Sequence, residues 1–265
     1  MRNYLLGDKF VRLASRANVH VAERTPREEL LELIGALRPV DDGKELVRLG
    51  PDGDGGYLLP DDLVGIEYAF SPGVANESGF EAALAERGMK VFMADHSVDG
   101  PAQPNPRFEF DKKFIGCLSN DVFIKLDEWK EQKLGDYRGD LLLQMDIEGA
   151  EFEALLAASP ALLAQFRVMA IEFHHLQHLW NRPYFDLAAR AFRKLLETHA
   201  VVHNHPNNCC GSVRYRELEI PRFLELTFYR RDRFQQRGFR RTFPHPLDRD
   251  CTGRGALPLP PRWYA

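Results

Sequence analysis

A chain of 265 residues with 44% hydrophobic and 28% charged residues can bury a full core without disulfide or metal staples, as one large α/β domain or one domain with additions. A net charge of −4 supplies no electrostatic ground for a nucleic-acid partner, and no apolar run is long enough to span a bilayer. The four cysteines, Cys117, Cys209, Cys210 and Cys251, contain no CxxC pair, which argues against a zinc knuckle or a disulfide framework and for a reducing compartment, the cytoplasm.

Residues 1–48 read as a helical extension. Charges interrupt the short apolar patch at the N-terminus, so no secretory leader is expected. In "TPREELLELIGALRPV", Thr25 is placed to cap, Pro26 suits the first helical position, and Glu28 completes a capping box. Leu30, Leu31, Ile34 and Leu37 recur at helical spacing. "RLGPDGDGGYLLPDDL" follows as a glycine-rich loop leading to a short strand at Tyr57, Leu58 and Leu59.

From residue 66 onward strands and helices alternate. "IEYAFSPG" is a strand, "ESGFEAALAERG" a helix, "KVFMADH" and "RFEFDKKFIG" strands, and "SNDVFIKLDEWKEQKLG" partly helical. "DLLLQMDI" and "RVMAIEFHH" are strands, each followed by a helix. "AVVHNH" and "FLELTFYRR" end the series without a helix between them. The alternation implies βαβ units and a mostly parallel sheet, and the last pair should be antiparallel. The Pro/Gly-rich residues 243–265 read as an extended arm packed on the domain formed by residues 49–242.

In an open parallel sheet, ligands bind beyond the carboxyl ends of the strands. Gly73 ends the first strand and lets the backbone turn close to a ligand. Asn76 is placed to cap the helix that Glu77 and Ser78 open. The turn lacks both GxGxxG and a Walker lysine, and beside Glu77 it suits a cationic or zwitterionic ligand better than a pyrophosphate. Asp95 stands where a ribose-binding carboxylate belongs in Rossmann-like folds. An ordinary strand–helix turn and a solvated cap are the bland alternatives for these two positions.

Asp146, amid a leucine-rich strand, must be hydrogen-bonded, paired or metal-bound. Glu148 and Glu151 also suit the helix start that follows. With Glu172, His174, His175, His203, His205, Asn207 and Asn208 they place carboxylate, imidazole and amide groups at successive strand ends. Such a set serves general acid–base chemistry or a divalent metal. His174 and His178 have i, i+4 spacing, but without HExxH this is not read as a zinc helix. The arginines of "YRRDRFQQRGFRRTF" could hold an anion, or simply discourage edge pairing.

"LLLQMDIEGAEFEALL" resembles the hallmark stretch of FkbM-type methyltransferases, an apolar strand followed by D-x-E-G-A-E and a helix. "DGDGGYLLPDDL", "YAFSPGVANESGFEAALAERGMKVFMADHS" and "AVVHNHPNN" with "LELTF" resemble a bacterial branch of that family. The likeness runs from about residue 45 to the end of the chain. It implies a Rossmann-like class I methyltransferase fold: seven strands, mostly parallel with an antiparallel last strand, and helices on both faces. It further implies S-adenosylmethionine as methyl donor and an oxygen acceptor, often on a sugar or glycan.

On this resemblance Ser71, Gly73, Asp95 and His96 lie along the donor. Ser71 and Pro72 replace the acidic first motif, so Asp54 or Glu77 would supply the missing carboxylate. Asp146, His174 and His203 are the expected catalytic groups. Asp146, Glu172 and His203 are the expected ligands if a divalent metal takes part. Tyr57, Glu148, His175, His205 and Asn207 are expected around the acceptor. A methyltransferase acting on another small molecule or on nucleic acid, an NAD-dependent oxidoreductase, and a non-catalytic binding module are the alternatives. The missing GxGxxG weighs against the oxidoreductase. A homo-oligomer is compatible with the chain and not specified by it.

Overall fold

The computed structural model describes residues 8–18 and 21–265. Among them lies a seven-stranded sheet. Its strands are β1 (Tyr68–Pro72), β2 (Lys90–Ala94), β3 (Phe108–Asp111), β4 (Leu141–Met145), β5 (Phe166–Phe173), β6 (His199–Pro206) and β7 (Leu224–Arg230). In space they run 3-2-1-4-5-7-6. Strands 1 to 5 pair in parallel, and β7 inserts antiparallel between β5 and β6. This is the Rossmann-like arrangement with one antiparallel strand expected above, and its order reverses between β1 and β4.

The helices are α1 (Asp8–Arg16), α2 (Arg27–Ala36), α3 (Gly79–Glu86), α4 (Leu126–Leu134), α5 (Glu151–Ala157), α6 (Pro160–Leu163) and α7 (Arg182–Thr198). Both sheet faces are covered, which is why the central strands are apolar at nearly every position. Leu141, Leu143, Met145, Ile171 and Phe173 face the core built with α2, α4, α5 and α7. Leu142, Ala69, Val91 and Ala170 face a second core with Phe80 and Leu84 of α3 and with Leu49, Tyr57 and Leu59. The two-residue period of a strand makes this division. None of the described helices is long and apolar enough to cross a membrane.

Several local expectations are corrected. Thr25 does not cap α2; its hydroxyl donates to the Leu179 carbonyl (2.7 Å), and Pro26 occupies the cap position. At α3 the cap role expected of Asn76 falls to Glu77, whose Oε1 accepts from the Ser78 and Gly79 amides at 2.9 and 2.6 Å. "RFEFDKKFIG" is two strands, because the chain leaves β3 at Lys112 and re-forms a short parallel pair, Phe114–Ile115 with Phe123–Ile124. The linker between β6 and β7 holds a hairpin, Ser212–Tyr215 with Leu218–Pro221. Residues 46–60 form another, Leu46–Leu49 with Tyr57–Pro60. Its tip is held near the rim by Arg48, which donates to the carbonyls of Pro51 and Gly53.

The C-terminal arm crosses the β6 side of the sheet. Trp263, fully buried, donates from its indole nitrogen to the Glu219 carbonyl (3.1 Å). Asn208 grips the arm with its amide group, donating to the carbonyls of Thr252 and Arg254 and accepting from the Thr252 amide. The arginine-rich segment is largely spent on structure. Arg230 pairs with Asp140 and Asp232, Arg233 with Asp62, and Arg240 with Asp42.

Candidate active site

The switch in strand order opens a crevice between the ends of β1 and β4. Backbone contacts close it underneath: the Asp146 amide donates to the Pro72 carbonyl, and the Gly73 amide to that of Ala94. Gly73 has φ +84°, and a Cβ there would lie 1.5 Å from the Asp146 carbonyl oxygen. Only glycine allows this crossing.

Above Gly73 lies a cavity of about 390 Å³, bordered by Asp95, Ser97, Phe114, Phe123, Asp146 and Ile147. Asp95 is buried. Its Oδ2 accepts from the Ala75 amide, and its Oδ1 from the amide and hydroxyl of Ser97. Those bonds fix the carboxylate without exhausting its acceptor sites. His96 stands behind the wall, its ring 5.3 Å from that of Phe114.

A smaller cavity of about 80 Å³ shares Gly73 and Asp146 with the first and is bordered by Asp54, Tyr57, Glu77, Glu81 and Gln144. Ser71 is sealed beneath it. The Ser71 hydroxyl bonds Glu81 Oε1 and Gln144 Oε1 (2.6 Å for the latter), and Gln144 donates to the Tyr57 hydroxyl. Ser71 therefore supports the pocket from below rather than lining it. Burial pushes the Glu81 carboxyl up to about 7, against the bond from Ser71.

That value carries a pH dependence. Between pH 4.5 and 7 the folded protein holds a proton on Glu81 that the unfolded chain has released, so stability falls as pH rises through this window. The loss is about 3 kcal/mol above pH 7. Glu81→Gln should remove this slope, melting above the wild type at pH 8 and level with it near pH 4.5. Parallel melting curves across that range would show that Glu81 is not the group responsible.

On the other side of Asp146 the chain gathers acids around one imidazole. His174 is 3% exposed. Its Nδ1 lies 3.0 Å from Oε1 of Glu151, a fully buried residue whose same oxygen accepts from the Gly149 amide. Its Nε2 faces Glu148 Oε2 at 3.5 Å, Asp146 Oδ1 at 3.6 Å and Glu172 Oε1 at 3.9 Å. Glu148 is at φ +56° and Gly149 at +107°, a turn that folds the Glu148 carboxylate back over the strand end.

Burial raises Asp146 to about 7, opposed by His174 and reinforced by Glu148, Glu151 and Asp54. Burial likewise holds Glu172 well above the carboxylate range, with the charges of Asp146 and Glu225 adding to it. Burial alone would lower His174, but its bond to Glu151 and the acids around it leave it raised.

The geometry corrects the expected ligand set. Asp146 and Glu172 are near His174, but His203 is not part of this group. The antiparallel β7 separates β6 from β5, and His203 pairs with Thr227, two steps inside the Leu226 and Glu225 positions that lead to the rim. His203 Nε2 bonds Asp248 Oδ1 of the C-terminal arm at 2.8 Å. His205 is held by the same arm, its Nε2 3.0 Å from the Arg249 carbonyl. The bond to Asp248 and the charge of Glu225 lift His205 to about 9 although burial opposes them.

Asn207 is buried, and its Nδ2 donates to Glu172 Oε1 at 3.1 Å, so it positions Glu172. His175 is exposed at φ +60°, its ring 5.7 Å from that of Phe223. Sequence reasoning missed Phe114, Phe123, Glu81 and Gln144. The available signals were the two apolar pairs after β3 and a lone glutamine inside an apolar strand.

No family model and no curated protein matches the chain. Among solved structures, a fibrillarin/Nop5p complex matches over 63% of this chain and 73% of its own, at 11% identity and TM-score 0.34. The Burkholderia thailandensis 1,6-didemethyltoxoflavin-N1-methyltransferase, with S-adenosylhomocysteine bound, matches over 63% and 72%, at 14% identity and TM-score 0.33. A 16S rRNA (adenine(1408)-N(1))-methyltransferase variant from Catenulisporales acidiphilia matches over 72% and 100%, at 11% identity and TM-score 0.30. Superpositions this loose transfer no activity; the functional reading rests on the strand order and the site.

Proposed function

We propose that the protein is an S-adenosylmethionine-dependent methyltransferase that acts on a hydroxyl group, with a sugar or glycan as the acceptor class. The observation that carries this reading is the two-part crevice meeting at Gly73 and Asp146. The larger part offers Asp95 to ribose hydroxyls and the Phe114 and Phe123 rings to a flat base. The smaller part offers Asp54, Glu77 and Glu81 to a cationic end. A donor carrying a sulfonium and an ammonium group suits these carboxylates, whereas they would repel a dinucleotide's pyrophosphate.

The donor supplies an activated methyl group. The chain's residues align it with the acceptor, an effect worth up to about 7–11 kcal/mol at its best. The acceptor oxygen forms a bond to the methyl carbon as the carbon–sulfur bond breaks, its electron pair passing to sulfur. The hydroxyl proton goes to the carboxylate of Asp146, which borders both cavities. Beyond Asp146, Glu148 and His175 provide hydrogen-bonding groups beside the Phe223 ring, a mixture suited to a sugar. The pairing of Arg230, Arg233 and Arg240 with acids favours such an acceptor over a polyanion.

Calorimetry with S-adenosylmethionine, S-adenosylhomocysteine and NAD tests the reading. Both sulfur ligands should bind at one site per chain and NAD should not. Asp95→Asn should weaken both by roughly tenfold to a hundredfold, the loss of a charge-assisted hydrogen bond. NAD binding in preference to the sulfur ligands would overturn it. Transfer of a labelled methyl group to hydroxyls of a glycan panel then tests the acceptor class.

A further inference from the structure

We propose that His174, Asp146 and Glu148 form a binding site for one divalent first-row metal cation at the strand-end rim, with Glu151 orienting the imidazole. One ligand atom from each of the three lies within 4.8 Å of the others. The separations of His174 Nε2 from Glu148 Oε2 (3.5 Å) and Asp146 Oδ1 (3.6 Å) are long for hydrogen bonds. They match two ligands that each stand about 2.1 Å from a shared ion at a near-tetrahedral angle.

Independent evidence comes from unpartnered atoms. The Nδ1 of His174 is committed to Glu151 Oε1. A buried carboxylate on Nδ1 takes the ring proton there and leaves a lone pair on Nε2, the usual support for a metal-bound histidine. Among the described residues that Nε2 has no hydrogen-bond partner, although the side chain is 97% buried (3% exposed). Asp146 Oδ1 is likewise buried with no partner. Both atoms point at the same space.

The αL conformation of Glu148 brings a third donor from outside, a strained arrangement of the kind that persists where a site requires it. Glu172 Oε1, 3.9 Å from Nε2, adds negative potential at the edge of the site. A mixed imidazole–carboxylate set suits Mn²⁺, Fe²⁺ or Zn²⁺ better than Ca²⁺.

The ion would lie beside the donor crevice, which Asp146 also lines. An acceptor hydroxyl completing its shell would lose its proton more readily, to the Asp146 oxygen that does not bind the ion. That catalytic role rests on the methyl-transfer reading; the cation site does not.

The test is titration of Mn²⁺ into the full-length, chelator-treated protein without donor, with free Mn²⁺ read by electron paramagnetic resonance. One Mn²⁺ per chain is expected. Glu148→Gln and His174→Gln should each weaken binding at least tenfold, and His178→Ala should not change it. Glu148 is 85% exposed at its side chain, so its variant remains informative if His174→Gln does not fold. Glu151→Ala should weaken binding, and Glu151→Gln, which keeps an acceptor for Nδ1–H, should restore most of it; failure of that rescue would overturn the orienting role.

Absence of saturable binding, or equal affinity in wild type and Glu148→Gln, would overturn the site and leave a protonated imidazole among acids. S-adenosylmethionine binding, measured separately, decides the methyl-transfer reading, so the two can fail independently.

Discussion

Asp146→Asn is expected to lower methyl transfer by roughly 10²- to 10⁴-fold, the usual consequence of removing a positioned proton acceptor, while the protein stays folded. The side chain carries little of the fold. Its Oδ1 is buried without a hydrogen-bond partner, and burial works against its charge. The isosteric amide removes that charge and leaves the Gly73 crossing intact, because the crossing uses the backbone carbonyl of residue 146. The melting temperature should therefore hold or rise as turnover collapses, and donor affinity should change little. Thermal melts, calorimetry and a methyl-transfer assay on one preparation check all three. Turnover within tenfold of wild type would remove Asp146 from the reaction.

Gly73→Ala should have the largest structural effect of any single methyl group in the site. The residue sits at φ +84°, and the new Cβ would meet the Asp146 carbonyl oxygen at 1.5 Å. Left-handed backbone costs an alanine about 1–2 kcal/mol by itself. The clash is with backbone rather than a side-chain tip, so β1 and β4 must part where Phe70 pairs with Leu143. A loss above about 4 kcal/mol, visible as a large fall in melting temperature or as insoluble protein, is the expected outcome. Any folded fraction should bind donor poorly, since both cavities share this residue. A variant that melts within a few degrees of wild type would show that the turn has room to move.

Much of the architecture was legible in the chain. The apolar runs of β1, β2, β4 and β5, separated by amphipathic helices, dictate a parallel sheet buried on both faces. Two late strands without a helix between them dictate the antiparallel pair. Gly73, Asp95 and Asp146 could be placed at one rim because parallel strands deliver their carboxyl ends to the same side. What failed was local and competitive. Thr25 looks like a cap, yet its hydroxyl found the Leu179 carbonyl. Asn76 looks like a cap as well, and Glu77 reached the free amides instead.

The sequence by itself determined the sheet, its polarity and the rim where polar groups collect, since hydrophobic period and connection length are local properties that survive without knowledge of neighbours. Only the tertiary structure decided which of those polar groups meet. His174 and His203 are equivalent in the sequence, each an imidazole in a β-strand region followed by polar residues. The insertion of β7 separates them, and an arm arriving from residue 248 takes His203 into a bond with Asp248 while Glu151 aims His174 at Asp146 and Glu148. Partner choice among buried polar groups follows distances of a few ångströms across elements far apart in the chain, and no periodicity encodes it.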